Sequence, residues 1–272
     1  MSWAAIARKD AREIRDSRLL RYLLYLVVIV YALAAYVYPI DRDPVTTSEF
    51  AGFATGSVEL IVPLTAILLG YNAVVGERAT GQLALSLSLP QSRRTVLVGK
   101  LIGRGGALAA ALVAGLVVAA GLVVYPFGEL EPLSYAGYGV VTLLLGGAYF
   151  AIAVGCSLVT ASKQLATAAA LGVFFLFVIV WDLVDDGLRV LFEQFGSASG
   201  ELPAWALFLH GATPGQLYNR IVSGLFVGQE TGTYLGPDTA WYLGEWVALG
   251  VLGLWTVVPI LAGYWRFRRV DL

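Results

Sequence analysis

The side chains best suited to chemistry are few in this sequence and stand far apart. There is one histidine, His210, and one cysteine, Cys156. A metal or iron–sulfur centre built on several such residues is therefore excluded, as is an intrachain disulfide framework. Cys156 lies in an apolar run and reads as a packing residue. No His-Glu-x-x-His run and no Gly-x-Ser-x-Gly elbow occurs. Ser162 beside Lys163 could form a serine–lysine pair inside a membrane, but a lone Lys in a tight turn also satisfies the charge rule for topology. The only Gly-Lys pair, Gly99-Lys100, is followed by Leu101 instead of Ser or Thr. Arg94 stands where a phosphate-binding loop needs its first Gly. The chain offers no phosphate cradle and no clustered catalytic groups, so it is read as neither an enzyme nor the holder of a cofactor.

The elements that carry these residues are membrane helices. Of 272 residues, 58% are hydrophobic and 14% charged, where a soluble domain carries about 25% charged residues. Mean hydropathy is +0.75. Six apolar stretches read as spans, at 22–39, 60–75 (with a start near Phe53 as the alternative), 102–124, 138–160, 165–181 and 241–265. The runs are too long and unbroken for the alternating segments of a membrane barrel, which predicts an all-α polytopic fold forming one domain over 1–272. The first run is too long for a cleaved signal core and reads as a retained span. If the N-terminus is cytoplasmic, 15 of the 18 Lys and Arg fall in inner segments, leaving Arg42, Arg189 and Arg220 outside. The opposite orientation reverses the ratio, so both termini are expected in the cytoplasm and the protein in the plasma membrane. Acidic residues show the converse bias. Arg outnumbers Lys by 15 to 3, and with acidic outer loops this points to a salt-loving prokaryote.

Two segments are more than span and turn. In residues 2–18, Trp3, Ile6, Ala7, Ala11 and Ile14 recur at helical spacing among five basic residues. This predicts an amphipathic helix lying in the interface; the plainer reading is a charged start that only sets topology. The stretch 187–240 is too long for a passive turn. Its pieces 188–195, 203–209 and 216–227 predict short helices at the outer surface, some dipping into the membrane, with a small soluble cap as the other reading. Three carboxylates, Glu59, Asp182 and Glu245, lie near the outer ends of spans. They are candidates for an outer vestibule or ion contact, or else solvated edges. Trp181, Trp241 and Trp265 read as interfacial anchors.

The segment 77–100 carries the functional argument. It has charged ends, Glu77 and Arg78 on one side and Arg93 and Arg94 on the other, around a leucine-rich middle containing Leu83, Leu85, Leu87 and Leu89. Alternation by two would permit a strand. A lone strand leaves its edges unpaired, so a short helix ending before Pro90 is preferred. The pattern suits docking into a groove on a cytoplasmic protein. For the Arg residues, the plain alternative is that they serve topology alone.

This segment resembles the coupling-helix region of type-2 ATP-binding-cassette (ABC) exporter permeases. Glu77, Arg78, Gly81, Leu83, Pro90, Ser92, Arg93, Gly99 and Lys100 match the family pattern, while Gln82 replaces its usual Thr. The stretch Pro214–Tyr218 is similar to the family's short motif before the last span. Among subgroups, the chain looks closest to the one that includes copper-enzyme-maturation permeases. The resemblance implies a permease subunit of an ATP-driven exporter. It would pair with a second copy or a related permease and with cytoplasmic ATPase subunits, which would bind ATP and magnesium. It also implies that Glu77, Arg78, Gly81, Leu83, Leu85, Leu87, Pro90, Arg93 and Arg94 contact the ATPase. The alternative is an ATPase-coupled complex that transmits force to an outer partner without transporting anything.

Overall fold

The computed structural model describes residues 2–40, 45–81, 92–125, 128–181, 183–184, 187, 190, 203–228, 234 and 240–269. Among them the fold is helical. The one β element is an isolated bridge, Thr46 to Glu129. Six helices are long and apolar enough to cross a membrane.

Helix α1, Trp3–Asp16, and the first spanning helix α2, Arg18–Val37, meet at a single residue. The Ser17 amide donates to the Glu13 carbonyl at 2.9 Å and closes α1. Its hydroxyl accepts from the Leu20 amide at 3.4 Å and opens α2. Helix α3, Thr47–Gly70, starts where the Thr46 hydroxyl accepts from the Glu49 amide at 3.2 Å. A short helix α4, Val75–Ala79, follows. Helix α5, Arg93–Val124, is capped by Ser92, whose hydroxyl accepts from the Thr95 amide at 3.1 Å, and contains a π turn at Leu101–Gly105. Then come α6, Pro132–Val159, and α7, Lys163–Val180, which ends in a second π turn. Two short helices, α8 (Ala204–His210) and α9 (Pro214–Leu225), precede a 3-10 turn at Trp241–Leu243 and the last span α10, Glu245–Arg269.

These bounds differ from the apolar stretches. α3 starts thirteen residues before the expected 60 and α5 nine before the expected 102, because hydroxyl caps, not hydropathy, set where the backbone turns helical.

Burial separates core helices from peripheral ones. In α6 and α3, 67% and 61% of the most apolar stretch is buried, against 17% in α2 and 11% in α7. The bundle is thus organised on α3 and α6, with the others presenting Leu33, Val117 and Leu261 outward. α10 reaches α6 through two glycines: a Cβ on Gly263 would stand 3.1 Å from Gly155 Cα, and one on Gly155 would stand 2.8 Å from the Pro259 carbonyl oxygen. Some polar groups at the centre find partners inside the bundle. The Tyr135 hydroxyl donates to the Leu116 carbonyl at 2.7 Å, and Thr142 bonds the Tyr218 hydroxyl at 3.3 Å, where Tyr31 and Tyr138 also gather.

Between α3 and α4 the chain leaves helical geometry over 71–74, which strands backbone amides in a buried place. Ser157 of α6 resolves this: its hydroxyl accepts from the Val74 and Val75 amides at 3.0 and 2.9 Å. Ser157→Ala should cost about 1–3 kcal/mol, since two buried donors lose their acceptor. Hydrogen exchange read at the amides of 74 and 75 should accelerate; unchanged protection there would refute the bond.

Candidate functional site

α1 lies across the start of α5, and two glycines set how closely. A Cβ on Gly99 would stand 2.6 Å from Ile6 Cβ and 2.9 Å from the Trp3 carbonyl oxygen. One on Gly103 would stand 2.8 Å from both the Ala7 carbonyl oxygen and Asp10 Cβ. Only hydrogen fits, so the two backbones meet. The π turn at Leu101–Gly105 widens α5 at this point. Lys100 and Arg104, four residues apart, both face α1.

The close approach shuts charges away. Asp10 is 0% exposed and Lys100 2%. Lys100 Nζ lies 3.0 Å from Glu77 Oε1 and 3.6 Å from Asp10 Oδ1. Lys9 Nζ donates to the same Glu77 oxygen at 2.9 Å and lies 3.5 Å from Glu13. Arg104 Nε is 3.8 Å from Asp10, its Nη2 is 3.5 Å from Glu13, and its Nη1 donates to the Leu69 carbonyl at 3.1 Å. Three carboxylates thus meet three cations and the cluster is neutral in sum. Neither Asp10 oxygen receives an aligned hydrogen bond, so charge attraction alone holds that side chain. Burial pushes the Asp10 carboxyl above the usual carboxylate range, against the pull of Lys100 and Arg104. At Lys9 burial works against the ammonium, but Glu77 outweighs it and holds the pKa above its ordinary value.

Oxygens of Asp10, Glu13 and Glu77 lie within 4.8 Å of one another, a spacing that would suit a metal ion. Lys9, Lys100 and Arg104 already supply the countercharge, so the donor set does not fit one. The arrangement offers no nucleophile and base poised on an open cleft. What it does is mechanical: it fastens α1, the end of α4 and the start of α5 into one body.

The other predicted loop residues extend the fastening. Arg78 Nη1 donates to the Thr160 carbonyl at the end of α6, at 3.3 Å. Arg93 Nη1 donates to the Phe267 carbonyl near the end of α10, with its guanidinium 5.3 Å from the Phe267 ring centre. Gly81, at φ +72°, takes the left-handed turn that leads the chain away from α4. Arg94 is exposed. Leu83, Leu85, Leu87 and Pro90 lie outside the described residues. So does Asp182.

The two vestibule candidates among the described residues hold different positions in their helices. Because α3 begins at Thr47, Glu59 stands in mid-helix, half-buried and electrostatically close to Tyr149 and Tyr218. Glu245 opens the first turn of α10. Sequence reasoning missed Asp10, Glu13 and Ser157; it counted Lys9 and Arg104 among the inner basic residues, and Lys100 both there and as a match to the family pattern. One clue was available: Ala7, Asp10 and Ile14 share a helical face, which puts a carboxylate on the apolar side of α1.

The family model for the ABC-2 family transporter protein matches residues 4–272. The chain belongs to the ABC-2 transporter family. It is 33% identical over 287 residues to the "Probable ABC transporter permease protein NosY" of Stutzerimonas stutzeri, covering 97% of both chains. Against the protein of that name from Pseudomonas aeruginosa it is 32% identical over 278 residues, again with 97% of both covered. As an ABC-2 permease, this chain is a membrane subunit of an ABC transporter, which implies an ATPase partner. The fastened α1–α4–α5 body stands at both roots of the segment 77–100.

Proposed function

We propose that this permease receives the ATPase stroke through residues 77–100 and passes it to four helices at once, driving export across the plasma membrane. The observation that carries this is the buried join of Lys100, Glu77 and Asp10. A flexible loop would absorb a push. Here Glu77 and Arg78 at one root, and Arg93 and Lys100 at the other, hold the loop to α1, α5, α6 and α10. Movement of the leucine-rich middle becomes tilt of the bundle. The reading places both termini and the loop in the cytoplasm, and pairs the permease with a second copy or a sibling chain. ATP and magnesium reside on the ATPase.

Two variants of the purified permease–ATPase complex separate the contact from the fastening. Leu85→Asp should abolish permease-dependent ATP hydrolysis, because it puts a charge into the proposed contact. Glu77→Gln should lower both that hydrolysis and thermal stability, because Glu77 lies inside the fold. Full coupling in Leu85→Asp would refute the docking.

The second reading, force delivered to an outer partner, draws on Arg220. Its guanidinium donates to the Leu243 and Gly211 carbonyls at 3.0 and 3.1 Å and lies 4.0 Å from the Tyr234 ring centre. α9 is thereby braced as a solid surface. ATP-driven flux in vesicles holding only permease and ATPase would decide for transport.

A further inference from the structure

A groove of about 380 Å³ runs between α1, α2 and α5, lined among others by Ile14, Arg15, Arg21, Val28, Ala110 and Ala114. We propose that it holds one anionic phospholipid, with an acyl chain along the alanines and the phosphate between Arg15 and Arg21.

The shape follows from side-chain size. On α5 the wall is alanine at 107, 110, 111 and 114, whose methyl groups leave a hollow that leucines would fill. From Ala107 to Ala114 the hollow rises by roughly 10 Å, a length that suits part of an acyl chain. It is too slender for another helix, about 10 Å across with its side chains. Its lining is overwhelmingly apolar, so water gains nothing there, while an empty groove forfeits its dispersion contacts.

The chemistry at one end chooses the lipid. The Ser17 elbow brings two guanidiniums to the rim. Arg21 is half-buried and held in place by donating from Nη1 to the Arg15 carbonyl at 3.1 Å, with its guanidinium 5.8 Å from the Tyr22 ring centre. Arg15 is exposed and its nearest carboxylate, Asp16 at 3.6 Å, is equally exposed and so a weak competitor. Glu13, the other acidic residue at this end of α1, is engaged by Lys9 and Arg104. Arg15 and Arg21 therefore present donor forks matched to phosphate oxygens. A headgroup with a net negative charge satisfies both; a zwitterionic one brings its own ammonium against them.

The test is native mass spectrometry of the purified full-length protein after titration with phosphatidylglycerol or phosphatidylcholine. One phosphatidylglycerol should be retained per chain, with a preference on the order of ten- to thirty-fold from two interfacial arginines. Arg15→Gln/Arg21→Gln should erase the preference but keep weak binding of both lipids. Ala110→Phe, which fills the hollow, should lose both lipids at unchanged thermal stability. Equal retention of the two lipids by the unmodified protein would overturn the proposal. So would an unchanged preference in the double arginine variant, or cross-linking of the Ala110→Cys variant through position 110 to a second copy in phosphatidylglycerol bilayers.

Discussion

Lys100→Met is expected to destabilise the protein by about 3–5 kcal/mol, the cost of stranding a buried charge without its partner. Asp10 has no exposure and no aligned hydrogen bond, so removing Lys100 leaves only the more distant Arg104 to compensate it. Denaturant unfolding in mild detergent measures the loss. The sign of its pH dependence follows from Asp10. Its folded pKa already lies above the ordinary value, and losing Lys100 raises it further. The folded state then binds a proton more tightly than the unfolded chain does. The stability linked to that proton is fully present below the unfolded pKa and is lost as pH rises through the folded one. The variant should therefore be weakest at neutral pH and recover part of its deficit under mild acid. Asp10→Leu combined with Lys100→Met should restore more than half of the loss, because similarly sized apolar groups can replace a buried pair. A single Lys100→Met with undiminished stability would mean that α1 does not pack where it is described.

Gly103→Leu is the second large effect. Its Cβ would collide with the Ala7 carbonyl and Asp10 Cβ, both at 2.8 Å. One obstacle is backbone, so α1 itself must move. About 3 kcal/mol is expected, at the upper end for an overpacked site. ATPase coupling should be lost with it, because the loop roots no longer share one body. A control lies three residues on. A Cβ on Gly106 meets nothing within 4 Å, so Gly106→Ala should be neutral or stabilise by up to about 1 kcal/mol. Exchange protection across α1 distinguishes them: it should fall sharply for Gly103→Leu and stay unchanged for Gly106→Ala. Intact protection in the former would remove the case for close packing.

The comparison of these two glycines also shows what a sequence reveals and what it withholds. The six spanning helices were legible because a membrane demands long apolar runs, and α2 and α5 supply them. The extra turns of α3 were not. Thr47 to Val58 form a helix of mixed character, with Thr47, Phe50, Ala51, Ala54, Thr55 and Val58 buried and Glu49, Gly56 and Ser57 exposed, so no long apolar run marks them, and Glu59 consequently sits mid-helix. The charge network was hidden for another reason. Lys9, Lys100 and Arg104 each obey the rule that places basic residues on one side of a membrane, and a residue already explained prompts no search for a partner. Apart from the i,i+4 pair Lys9–Glu13, their carboxylates stand on other helices, and no spacing along one chain announces a pair made across two. Gly99 and Gly103 stand four residues apart in the sequence, but the helix that packs on them, α1, is identifiable only in three dimensions. Ser157 gave no local signal at all, since what it satisfies is a break in another helix.

The interior placement of Asp10 and Lys100 bears on how the joint between α1 and α5 responds to salt. In molar salt the Debye length shrinks to about 3 Å. Pairs in contact with water, such as Arg15–Asp16 and Lys9–Glu13, fade there. Ions cannot enter a contact sealed by two glycines, so the attraction between α1 and α5 stays nearly constant as salinity climbs. An organism whose surroundings swing from dilute to saturated would keep the same stiffness in this joint throughout.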